Sequence, residues 1–133
     1  MRAHRNTSWE ALGSTTYSHG VVGSSFTIGE PDDPTAPLVG RFSFPPGVRV
    51  GPHTHDSDYA EIILEGSQQV SGVWHHAGDV RIVRRRTAYG PLISGPEGVT
   101  VLVIFRHNEP APIPVRPGDD AVVVDVTPTE SQP

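Results

Sequence analysis

Short runs of β-branched residues, each cut off by glycine or proline, recur along the chain from Val21 to Val126. Seventeen valines against five leucines sharpen the pattern, because branching at Cβ stiffens a side chain and suits a pleated strand better than a helix. Nine segments read as strands: 20–28, 38–44, 48–55, 59–64, 68–75, 80–83, 92–93, 99–106 and 121–126. Turn chemistry falls between nearly all of them, at Glu30 to Pro34, Pro45 to Gly47, Glu65-Gly66, Ala77 to Asp79, Gly95 to Gly98 and Pro110 to Gly118. Strands this short and this evenly spaced make an all-β sandwich or small barrel of antiparallel sheets. Only Trp9 to Leu12 offers a helical turn, too short to stand alone.

At 133 residues the chain has the size of one domain, with a core expected over about 20–106. Four prolines between Asn108 and Asp120 form an extended arm leading to the last strand, so that 108–126 reads as an appendage, one that motivates a homodimer. A net charge of −5 supplies no positive field for nucleic acid or an anionic membrane, and neither is expected as a partner. No apolar run approaches a membrane span and the opening Met1 to Gly13 has no signal-like apolar stretch; the expected compartment is the cytoplasm. Cysteine is absent, which excludes thiolate nucleophiles and thiolate metal sites; any metal must be held by histidine and carboxylate. Lysine is absent too, and with it Schiff-base catalysis and the phosphate-cradling loop that ends in lysine.

Chemistry concentrates between Gly47 and Gly66. His53 and His55 are two apart, so on an extended strand both imidazoles lie on one face and can address one ion. On the next strand Tyr59, Glu61 and Ile63 share one face and Ala60, Ile62 and Leu64 the other; the aliphatic set reads as core, which turns Glu61 to water unless the sheet closes into a barrel. Arg84, on the face of Val80 and Ile82, is the candidate pocket cation for a substrate carboxylate or phosphate, and Trp74 is a candidate pocket wall. His75 and His76 point to opposite faces and make a poor chelating pair.

Gly47, His53, His55 and Gly66 match, at the expected spacing, the first motif of the cupin superfamily, G-x5-H-x-H-x3-4-E-x6-G, and over roughly residues 40–106 the chain resembles that family. In this alignment Tyr59 occupies the position of the motif glutamate. The second motif, G-x5-P-x-G-x2-H-x3-N, falls on Gly78 to Ile93: Gly78 matches, Arg84 and Arg86 replace proline and glycine, and Tyr89 and Ile93 replace histidine and asparagine. The resemblance implies a single-domain jelly-roll β-barrel of two antiparallel sheets, often dimeric, with a metal deep inside held by three histidines and a glutamate.

With tyrosine at two of those four positions, three site chemistries stay open. His53, His55 and Glu61 can form a facial triad for a divalent metal such as iron, zinc, manganese or nickel, although Glu61 lies roughly 7 Å along the strand from the motif position. Tyr59 or Tyr89 can ligate as phenolate, if the metal lowers a pKa that is ordinarily about 10. Or the same five side chains form a metal-free pocket for an organic ligand. The leading expectation is a small-molecule enzyme whose metal polarises a carbonyl or enolate while Tyr59, Tyr89 or Glu61 moves a proton, giving isomerase, cyclase, lyase or dioxygenase chemistry. The alternative is a metal-free binding or structural barrel.

Overall fold

The structure, a computed structural model, describes residues 4–115. A four-residue helix α1 (Trp9–Leu12) precedes the strands β1 (Thr15–Thr16), β2 (Val22–Thr27), β3 (Leu38–Phe44), β4 (Arg49–Val50), β5 (His53–Thr54), β6 (Tyr59–Val70), β7 (Val73–His76), β8 (Val80–Val83), β9 (Leu92–Phe105) and β10 (Ile113–Pro114). Every pairing is antiparallel. The main sheet runs β1-β2-β3-β9-β6-β7, with β4 joined to β9 and β8 to β6, and β10 pairs with β5 separately. This is the expected jelly roll: long strands bend across a corner and serve both walls of one barrel. The expected strand 121–126 lies outside the described residues.

Two of the expected turns are corners inside strands. Segments 59–64 and 68–75 were divided at Glu65-Gly66, and 92–93 and 99–106 at Gly95 to Gly98, but β6 and β9 run through both places and stay paired. The register shifts instead, between Ile63 and Glu65 and between Gly66 and Gln68. Gly66 (φ 78°) and Gly98 (φ 79°) hold backbone that a Cβ would strain, and a Cβ at Gly66 would run into the Gly98 carbonyl. Segment 48–55, by contrast, breaks into β4 and β5 at Gly51-Pro52, where proline has no N–H to pair.

The faces of β6 are the reverse of the aliphatic-inside reading. Tyr59, Glu61 and Ile63 are buried, whereas Leu64 is 41% exposed and its cross-sheet companions Val80 and Ile82 are 58% and 85% exposed. The inner face is decided by the partner strands. Tyr59 sits between Val83 and Phe105, and Glu61 between Arg81 and Val103, so the apolar filling comes largely from β9, where Val99, Val101, Val103 and Phe105 all point inward. Each such side chain, fully buried, is worth about 1.5–3 kcal/mol, which outweighs the gain from turning β6 over to hide Ala60, Ile62 and Leu64.

Candidate functional site

Inside the barrel lies a cavity of about 400 Å³. Its walls are chiefly apolar, with Phe42 and Phe44 from β3, Val99, Val101, Val103 and Phe105 from β9, and Leu92 and Val50 near one end. Among the polar side chains, His53, His55, Tyr59 and Glu61 come from the stretch already singled out; Tyr89 and Gln68 join them, and Tyr17, Ser25 and Ser94 lie elsewhere on the wall. Residues Pro110 to Pro112 of the arm line the cavity as well, held there because Ile113 and Pro114 pair with Thr54 and His53.

Four rings gather at one end. His53 lies 5.0 Å from His55 and 4.8 Å from Tyr89, and Tyr59 lies 5.1 Å from His55 and 6.1 Å from Tyr89, centroid to centroid. The four positions that the motif alignment picked out thus lie side by side, with tyrosines in two of the places.

Backbone carbonyls fix the state of each histidine. His53 Nδ1 is 2.8 Å from the Gly51 carbonyl oxygen and His55 Nδ1 is 3.0 Å from that of Pro110. A carbonyl only accepts, so both Nδ1 atoms carry the proton and both Nε2 atoms carry a lone pair. At His53 that lone pair accepts from the Tyr89 hydroxyl at 3.1 Å. Burial holds both rings neutral. It lowers His53 below its ordinary value, with the Arg81 cation acting in the same direction, and it lowers His55 to about 4, helped by His53. Burial likewise raises both phenols, Tyr89 to about 12 and Tyr59 further, with the neighbouring Tyr89 adding to the effect at Tyr59. The Tyr59 hydroxyl is enclosed, with the Tyr89 side chain as its polar neighbour.

Glu61 faces the cavity wall but turns away from the histidines. Its Oε1 accepts from Gln68 Nε2 and from Arg81 Nη2 at 2.9 Å, an ion pair with both side chains largely buried. Arg81 also stacks on Tyr89, its guanidinium carbon 4.4 Å from the ring centroid. Burial opposes its charge, yet Glu61, with Tyr59 and Tyr89, more than offsets this and leaves the Arg81 pKa raised.

Two expectations about the pocket are corrected here. Arg84 does not enter the barrel: it is exposed, on the outer face with Val80 and Ile82, and borders a shallow external groove. The arginine on the inner face is Arg81, which shares that face with Val83 and reaches Glu61, although it borders the external groove rather than the cavity itself. Trp74 is 46% exposed on β7 and does not line the cavity. Arg81, Gln68 and the Pro110 carbonyl are the participants that sequence reasoning passed over. For Arg81 the signal was there, since an arginine between Val80 and Ile82 must take the face opposite to theirs.

The donor set does not fit the divalent metal that the fold would lead one to expect. The triad His53, His55, Glu61 does not form, and among the described residues no three His, Asp or Glu side chains come together in a group able to hold an ion. Glu61 is committed to Arg81 and Gln68, and His53 Nε2 to Tyr89. The remaining donors are neutral imidazoles and phenols whose pKa values are raised, with no anionic ligand to offset a dication beside the Arg81 charge.

No family model and no curated protein matches this sequence. Solved structures do. The polyketide cyclase RemF from Streptomyces resistomycificus superposes with a TM-score of 0.69 over 89% of each chain, at 17% identity. An RmlC-like cupin from Shewanella frigidimarina gives 0.62 over 82% of this chain and 93% of its own, at 19% identity. Oxalate decarboxylase from Bacillus subtilis gives 0.61 at 16% identity, over 76% of this chain and 28% of its own. With the antiparallel strands on the same path, the chain has a cupin-type fold.

Proposed function

We propose that this cupin is a small-molecule enzyme that works by acid–base chemistry without a resident metal, on an apolar substrate bearing a carbonyl or enol, in an isomerisation or cyclisation. The observation that carries the reading is the neutral pairing of His55, with its lone pair on Nε2, and Tyr89, a phenol that keeps its proton, inside a largely apolar chamber. Apolar walls with a few convergent polar groups are the usual make-up of a small-ligand site. His55 Nε2 takes a proton; the Tyr89 hydroxyl turns its one proton from His53 Nε2 to the oxygen on which negative charge develops. A base with a pKa of about 4 has only the strength of a carboxylate. It therefore suits a proton already made acidic, such as one on a carbon between two carbonyls. The fold-level likeness to a polyketide cyclase agrees with that class of substrate.

Exchange of α-protons tests this directly. Full-length protein is incubated in D2O with 2-tetralone and with 2-acetylcyclohexanone, and deuterium uptake is followed by NMR. The reading expects catalysed uptake at neutral pH that chelator does not abolish, at least tenfold slower in His55→Gln and in Tyr89→Phe. Uptake at the uncatalysed rate for both ketones, or catalysed uptake that disappears with chelator and returns with metal, overturns it.

A further inference from the structure

The Glu61 carboxylate is used on one side only. Both of its donors, Gln68 Nε2 and Arg81 Nη2, bond to Oε1, and among the described residues no donor reaches Oε2. Oε2 is not among the enclosed polar atoms that lack a partner. It is therefore unbonded and yet not sealed off by protein; Glu61 and Gln68 are both part of the chamber wall and also border a small pocket of about 10 Å³ beside Arg81, too small for an organic ligand. The carboxylate cannot swing away to use Oε2 elsewhere, because two donors from two different strand segments hold Oε1 in place.

Charge decides what can meet that oxygen. Arg81 already neutralises Glu61, so a cation gains no unbalanced negative charge by entering. An anion finds no spare counter-charge, because Arg81 is engaged and the two histidines are neutral. What suits Oε2 is a neutral group that donates a hydrogen bond, and a hydrogen bond to an ionised acceptor is the strong kind. Val103 lies opposite Glu61 across the sheet, and Phe105 and Tyr59 line the same chamber, which favours a flat apolar frame.

We infer that Glu61 is a specificity-determining residue whose Oε2 accepts a ligand hydroxyl, so that the chamber selects neutral hydroxylated aromatic or enolic compounds over their ethers and over carboxylates. The inference rests on the chamber being the ligand site, as proposed above.

The test uses the full chain and four probes of one shape: 2-naphthol, 2-methoxynaphthalene, naphthalene and 2-naphthoate, with affinities from calorimetry or NMR titration. 2-Naphthol is expected to bind about tenfold or more tightly than its methyl ether, with 2-naphthoate weakest. In Glu61→Gln, where the amide presents a donor in place of Oε2, the preference of 2-naphthol over the ether is lost. The comparison of naphthol with ether in the unaltered protein stands whether or not that variant folds. Equal binding of naphthol and ether, a preference for naphthoate, or a naphthol preference that survives in Glu61→Gln overturns the inference while leaving the chamber a ligand site. Binding of none of the four overturns both.

Discussion

The Tyr89 hydroxyl donates to Nε2 of His53 at 3.1 Å, while the other nitrogen of the same ring gives its proton to the Gly51 carbonyl. The imidazole is thus bonded at both ends in one tautomer. Removing the phenolic donor with Tyr89→Phe withdraws a hydrogen bond that favours the neutral ring, so His53 should titrate nearer its ordinary value, upward from where it stands. Carbon-detected NMR of labelled histidine measures this, and an unchanged His53 titration would show that the hydroxyl is not the donor.

Stability should begin to fall in mild acid, below about pH 6.5. Both chamber histidines titrate lower in the folded than in the unfolded chain, so on acidification the unfolded chain takes up protons that the native state refuses. Their contribution is intact above about pH 6.5 and is lost as pH falls through the folded values, about 4 for His55. For His55 alone the loss across that window is on the order of 3 kcal/mol. Urea melts between pH 7.5 and 4.5 check it: the slope of stability against pH should flatten in His55→Gln, and an equal slope would count against the buried neutral ring.

Protein prepared without an affinity tag should contain well under one equivalent of iron, zinc, manganese or nickel. Adding those ions should leave the melting temperature within a degree, because Arg81 already neutralises Glu61 and, among the described residues, no three His, Asp or Glu side chains are placed to hold an ion. Elemental analysis of the parent beside a His53→Ala, His55→Ala double variant decides the matter. Stoichiometric metal in the parent that vanishes in the variant would restore the metal-enzyme reading.

Gly66→Ala should destabilise the barrel by about 2–4 kcal/mol, through a positive φ together with a clash against the Gly98 carbonyl. Gly72, also at positive φ but with nothing near its missing Cβ, is the control: Gly72→Ala should cost only about 1 kcal/mol. Equal losses in the two variants would mean that the corner contact is unimportant.

The sequence carried the barrel well, because valine runs and turn residues are local signals and because Gly47, His53, His55 and Gly66 keep a fixed spacing. Segments 38–44 and 80–83 were legible to the residue. What the strand pattern left open was sidedness: Tyr59 and Glu61 line the cavity, as closure into a barrel requires, and the aliphatic-inside reading misjudges the face. Ala60, Ile62 and Leu64 look like a core stripe in isolation, and only the register of β6 against β9 and β8 shows that Tyr59, Glu61 and Ile63 are the inner set. The same misreading chose Arg84 over Arg81, since Arg84 follows Val80 and Ile82 onto the outside. Within the site, residue identities were readable but commitments were not. Nothing local to Glu61 says that an arginine 20 positions later will hold its carboxylate.

The contact between His55 and Pro110 joins side-chain chemistry to main chain across 55 positions. Because the group that holds the imidazole proton is a peptide oxygen, every amino acid at position 110 would offer it, and mutational scanning there would pass over its importance. Only a change in the path of the arm, by insertion, deletion or loss of the pairing between β10 and β5, would free that proton. The chemical identity of His55 is thus encoded in the length of a distant segment rather than in its letters.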